Sequence, residues 1–228
     1  MILYGKQVCL HALEHHPEKI KTVYVAKKGI LPNHLFHKYH SNIKFLEEKW
    51  AQSMSKGGNH QGLLVEMDEF EQSALSEIKK NDFIVVLDGL TDVGNIGAVV
   101  RSAYALGADA IIAAGVKQLN FAAVARTSSG AMLDMPFMIA PNILDTFNEL
   151  QQLGFTFYGA SMDGENVQDM TFEPKRVLVL GSEGKGLSGK VISKLDHKVS
   201  IEMKHAFDSL NVSAAAAILI HRMGYAVK

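Results

Sequence analysis

Three short stretches gather the residue types that could do chemistry. Asp88 to Ala114 carries Asn95 and, six residues on, Arg101. Leu178 to Gly186 ends in Gly181-Ser-Glu-Gly-Lys-Gly186, with Glu183 at its centre. Ser200 to Ala217 holds Ile201, Met203, Ser209, Leu210 and Asn211. A glycine-rich turn after an apolar run is the usual place for a nucleotide, so two nucleotide readings come first. Gly184 to Val191 has the spacing of a phosphate-binding loop, but Val191 stands where that loop needs a hydroxyl for magnesium. Gly94-Asn-Ile-Gly97 matches half of a dinucleotide turn, without the third glycine or the acid of the second strand. Taken singly, Asn95 is a helix cap and Arg101 a solvated helix residue; the order of the three stretches carries more weight than either.

The elements that must position these residues follow from periodicity. Phe83 to Leu87 is a short run rich in β-branched residues, a polar turn follows, and Ile96 to Leu106 is apolar at helical spacing. From Phe83 onward the chain alternates. Strands are expected at 83–87, 109–114, 155–160, 176–180 and 198–202, and helices near 95–106, 142–153, 187–195 and 209–222. Continuous apolar strands between amphipathic helices predict an α/β domain with a mostly parallel sheet covered on both faces. Ligands collect at the carboxyl ends of such strands, where the loops 88–95 and 181–186 fall. Residues 1–67 predict a smaller α/β unit with helices around Lys6 to Glu14, after Pro32 and through Trp50. Its strands are expected at Thr22 to Ala26, Ile43 to Leu46 and Gly62 to Met67. Residues 68–82 are polar and poor in β-branched residues, a linker, and 83–228 form the second domain.

Composition bounds the function classes. With 47% hydrophobic and 21% charged residues, the chain reads as an ordinary soluble globular protein. It holds no apolar run of membrane length and no signal-peptide pattern, so a cytoplasmic protein is expected. The single cysteine, Cys9, excludes an intrachain disulfide and reads as a buried structural thiol. His34, His37 and His40 lack the pairing or the carboxylate that a metal wants, and no metal site is expected. The net charge of −1 hides an asymmetry: residues 1–61 hold nine lysines against four glutamates and no aspartate or arginine. A basic head on an acidic body fits a polyanionic partner.

Asn95, Gly97 and Arg101, then Gly181 to Gly186, then Ile201 to Met203 with Ser209-Leu-Asn-Val-Ser213, stand in the order and spacing of the SpoU (TrmH) branch of the SPOUT RNA 2′-O-ribose methyltransferases, which the chain resembles over nearly its whole length. Tyr4-Gly5-Lys6 and His60-Gln61-Gly62 make the first domain similar to the family's L30e-like substrate-binding domain. The two-domain layout most resembles the members that methylate a guanosine of 23S rRNA.

The resemblance implies a catalytic domain tied in a deep trefoil knot, which general rules of chain topology would not suggest. It also implies a homodimer and S-adenosylmethionine (S-adenosyl-L-methionine) as cofactor. Carried over by position, Gly181, Ile201, Met203 and Leu210 would contact the cofactor, and Arg101, Asn95, Glu183, Ser209 and Asn211 would be catalytic. The substrate would be structured RNA, 23S rRNA before tRNA, with a non-catalytic RNA-binding or ribosome-assembly factor as the alternative of another class. Three positions depart from the family pattern: Glu202 replaces a proline, His205 a glycine, and Val93 a proline two residues before the Asn.

Overall fold

The computed structural model describes residues 1–182, 184–205 and 209–227. It divides into two compact units, one of residues 1–71 with 120–134, the other of 72–119 with the chain from 135 onward.

The first unit is built on β1 (Ile2–Tyr4), α1 (Lys6–His15), β2 (Ile20–Val25), α2 (Asn33–Lys38), β3 (Ile43–Phe45), α3 (Glu48–Met54) and β4 (Leu63–Met67). The sheet order is β1-β4-β2-β3. β4 runs antiparallel to both neighbours and β3 parallel to β2. Val8, Cys9, Ala12 and Leu13 form the inward stripe of α1, and Leu63, Leu64 and Val65 are fully buried in the central strand. Burial pushes the Cys9 thiol well above its ordinary pKa, so it packs as a small apolar group rather than acting as a nucleophile.

The second unit opens with a single helical turn, α4 (Leu75–Ile78), inside the stretch read as a linker. It continues through β5 (Phe83–Asp88), α5 (Val93–Leu106) and β6 (Ala110–Ala114). The next helix, α6 (Phe121–Thr127), belongs to the first unit, where it packs on β1 and α1. Back in the second unit come β7 (Phe137–Ile139), α7 (Ile143–Gln152), β8 (Thr156–Asn166), β9 (Arg176–Gly181), α8 (Gly189–Ile192), β10 (His197–Ser200) and α9 (Val212–Tyr225). The six strands lie in the order β10-β8-β9-β5-β6-β7, and every neighbouring pair is parallel. β5 and β6 bury every residue and β9 all but its last, which is why they read as unbroken apolar runs. Register at the start of β5 is fixed by Asp109, whose carboxylate accepts from the N–H of Phe83 at 2.8 Å and of Asp82 at 3.2 Å.

Several expected bounds move. β10 ends at Ser200, so Ile201 and Glu202 lie beyond the sheet rather than in it. The helix expected over 187–195 is α-helical only at Gly189–Ile192; Lys194 and Leu195 follow in tighter turns, bonding back to Val191 and Ile192. β8 runs on to Asn166, and α9 starts at Val212 instead of 209. β1, α6 and β7 went unread: two are three residues long, and the alanine-rich α6 carries little periodic signal.

Candidate active site

Two loops meet at the carboxyl edge of the parallel sheet. The pairing of β5 with β9 sets Asp88 opposite Gly181, so the segments leaving these strands start side by side. The first is short. Asp92 ends it by accepting the N–H of Asn95 on its carboxylate at 2.7 Å, and α5 begins at Val93. Asn95 is therefore not the cap expected from its position but a first-turn residue. Its side chain is used elsewhere: Asn95 Oδ1 accepts from Nδ2 of Asn211 at 3.1 Å.

Asn211 in turn caps α9, its Oδ1 accepting from the Ser213 N–H at 2.9 Å and the Ser213 hydroxyl at 2.6 Å. One amide pair, 116 residues apart in sequence, thus joins the N-termini of two helices that also pack on each other. Arg101 lies further along α5 and is exposed. Six residues correspond to roughly 9 Å along the axis and roughly 240° around it, so Asn95 and Arg101 leave α5 on different faces.

The second loop is bound by its own backbone. Ser182 and Gly186 exchange N–H···O bonds of 3.1 and 2.9 Å, and the Gly186 backbone lies close against Gly181. A Cβ on Gly181 would lie 2.2 Å from the carbonyl carbon of Gly186, so no other residue fits without opening the loop. Glu183 lies outside the described residues. The far end of the loop is held by Asp88. Its buried carboxylate accepts from the Ser188 N–H at 2.7 Å, across 100 residues of sequence. No role for Asp88 emerged from the sequence, yet a signal was present, because an acid closing a strand of five apolar residues needs a buried partner.

The third segment leaves β10. Ile201 and Met203 are half-buried and Glu202 exposed. Glu202 Oε2 accepts from Asn166 Nδ2 at 3.3 Å, a contact to the end of β8 made by the residue that stands in place of the family's proline. Ser209 is exposed and Leu210 half-buried, and both directly precede Asn211. Residues 206–208 lie outside the described ones. The hydrogen bonds and strand pairing thus join Asn95 with Asn211 and Asp88 with Gly181, and they hang the 181–188, 201–205 and 209–211 segments at the carboxyl ends of parallel strands and the start of α9.

A parallel α/β unit with glycine-bound loops at its carboxyl edge defines a class of enzyme-like ligand-binding domains, and comparison with known proteins names the family. Residues 82–221 match the SpoU rRNA Methylase family model, and residues 2–73 match a model described as RNA 2'-O ribose methyltransferase substrate binding. The chain belongs to the SpoU rRNA methylase family. Among its curated relatives is the 23S rRNA (guanosine-2'-O-)-methyltransferase RlmB of Haemophilus influenzae, 30% identical, with 96% of this chain and 94% of the relative covered. The enzyme of the same name from Salmonella typhimurium is 28% identical and covered over 96% of both chains. The fold matches the crystal structure of the SpoU methyltransferase AviRb from Streptomyces viridochromogenes in complex with AdoMet. The TM-score is 0.78 at 24% identity, with 97% of this chain and 88% of AviRb covered.

Proposed function

We propose that this protein transfers a methyl group from S-adenosylmethionine to the 2′-hydroxyl of a guanosine in 23S rRNA. The observation that carries the reading is coverage. Both family models match, and the two RlmB relatives align over 96% of this chain, so the substrate-binding and catalytic parts are both present. The first domain, L30e-like by resemblance, would take the RNA with its lysine-rich surface, and phosphate contacts would set the register.

The loops fit the cofactor. Gly181 leaves backbone groups open to close approach, and the half-buried Ile201, Met203 and Leu210 offer apolar walls to a purine ring. S-adenosylmethionine supplies a methyl already activated on a cationic sulfur, so the protein's work is positioning and the handling of one hydroxyl proton. A guanidinium is too weak an acid to act as a general base, so Arg101 is assigned another role. Its role is that of a cation that stabilises the developing alkoxide and grips the neighbouring phosphate. Asn95 and Asn211, locked to each other, hold the helix starts, and with Ser209 and Glu183 they orient the ribose. Arg101→Lys keeps part of the activity under this assignment, and a lysine variant as dead as alanine contradicts it.

The resemblance also supports a deep trefoil knot and a homodimer. For the knot, β10 lies at one edge of the sheet while α9 packs against α5 and β9, away from that edge. For the dimer, Tyr104, Ile218 and Tyr225 leave apolar surface on α5 and α9. No helix among the described residues is long and apolar enough to cross a membrane, and cytoplasmic RNA is the proposed setting.

The test is transfer of labelled methyl from S-adenosylmethionine to separate pools of 23S rRNA, 16S rRNA and tRNA from cells lacking the protein. Label confined to 23S rRNA is expected. Label confined to tRNA overturns the substrate, and cofactor binding with no transfer to any pool or to ribosomal particles points to an assembly factor.

A further inference from the structure

In the first unit His11, midway along α1, and His16, its C-cap, converge on one carboxylate. His11 Nε2 lies 2.6 Å from Asp134 Oδ2, and His16 Nε2 lies 2.8 Å from Asp134 Oδ1. The three side chains are only 20%, 13% and 19% exposed, and one ligand atom from each lies within 4.8 Å of the others. Among the described residues no other group of three His, Cys, Asp or Glu side chains meets in this way. None of them takes part in the site proposed above.

Both rings are held in place by their surroundings. His11 stacks on His15 with centroids 4.5 Å apart, and its other flank lies against Gly130, where a Cβ would come within 2.5 Å of the ring. Gly130 has φ +102°, so that position resists any side chain on backbone grounds as well. His16 is fixed as the C-cap of α1, its own N–H bonded to Ala12 O at 2.9 Å.

Two imidazoles and one carboxylate are the protein ligand set of an open zinc site, with water in the fourth position. As a plain hydrogen-bonded brace, each Nε2 would carry the proton it donates to Asp134. With the proton on Nδ1 instead, each neutral ring presents its Nε2 lone pair to a cation at no change in net charge. Tetrahedral ligands about 2.0–2.1 Å from zinc sit about 3.3 Å apart, so to admit the ion the two His–Asp134 contacts must lengthen by about 0.5–0.7 Å, and any wider pair within the 4.8 Å cluster must close to the same spacing.

We propose that His11, His16 and Asp134 bind a divalent metal of the zinc class. The metal fastens residues 120–134 onto α1 at the point where the chain leaves the first unit.

Cobalt(II) tests this on the full chain, stripped of metal and purified without a histidine tag. The wild type takes up one equivalent with the intense visible band of four- or five-coordinate cobalt, and zinc displaces it. Asp134→Asn, nearly isosteric, and His11→Ala each weaken binding by well over about a hundredfold, beyond the roughly 10–100-fold that loss of an outer contact alone costs. The double variant His37→Ala/His40→Ala keeps both band and stoichiometry. No stoichiometric uptake by the wild type, or an unchanged band in Asp134→Asn, overturns the proposal. X-ray absorption on the one-equivalent zinc complex needs no variant: a shell with two imidazoles supports the site, and one without imidazole overturns it.

Discussion

The second unit buries both faces of its sheet, whereas the first covers its sheet unevenly. β5, β6 and β9 have almost no exposed residue along their length, so polar groups can gather only at strand ends, and there the motif loops are fixed. The sheet of the first unit ends in β3, where Phe45 is 65% exposed, and Trp50 follows on α3 at 61%. Aromatic surface beside a lysine-rich stretch suits base stacking and phosphate contact rather than covalent chemistry. The difference teaches that the two halves of the proposed reaction should be separable by substitution: cofactor and chemistry in one unit, RNA grip in the other.

The largest expected effect is on chemistry alone. Arg101→Ala lowers methyl transfer by about 10²–10³-fold, the usual cost of removing a group that stabilises a developing oxyanion. Arg101 is exposed, so the thermal midpoint and the affinity for S-adenosylmethionine stay near wild type. A large drop in midpoint would make the residue structural and remove it from the comparison.

Gly181→Ala attacks the cofactor side. The new methyl meets the Gly186 backbone, so stability falls by about 1–3 kcal/mol and cofactor affinity falls with it, read by urea unfolding and calorimetry. Binding of RNA by the first unit is unchanged. Trp50→Ala is the converse. It weakens RNA binding by about 1–3 kcal/mol while cofactor affinity holds, and a loss of cofactor affinity would break the division of labour. Asn211→Ala has a modest effect on stability, removing the α9 cap at about 1 kcal/mol. Because the Asn95 contact goes too, its loss of activity exceeds what the shift in midpoint explains.

What was legible in the sequence follows from the same contrast. Buried parallel strands announce themselves as unbroken apolar runs, and β5, β6 and β9 were placed to within a residue. The motif residues were found through resemblance, but their connections were not. Nothing local links Asn95 to Asn211 or Asp88 to Ser188, because those bonds exist only once the sheet is assembled. Asn95 was misread as the cap since Asp92, three residues earlier, has the same preference for that position. The first unit was harder to read. Its three-residue β1 gives too short a pattern, and α6 begins at Phe121, far beyond the apparent domain end at residue 67. The same excursion delivers Asp134 to His11, 123 residues away, which spacing rules for metal ligands cannot detect.

The central claim is that the acceptor is a ribose hydroxyl. A 2′-O-methyl group blocks alkaline cleavage of the adjoining phosphodiester, so 23S rRNA from cells with and without the protein can be compared by alkaline hydrolysis read at each nucleotide. The account predicts one guanosine that resists alkali only when the protein is present and that loses its protection with Arg101→Ala. Methyl label recovered on a base, with every linkage still alkali-labile, would contradict it.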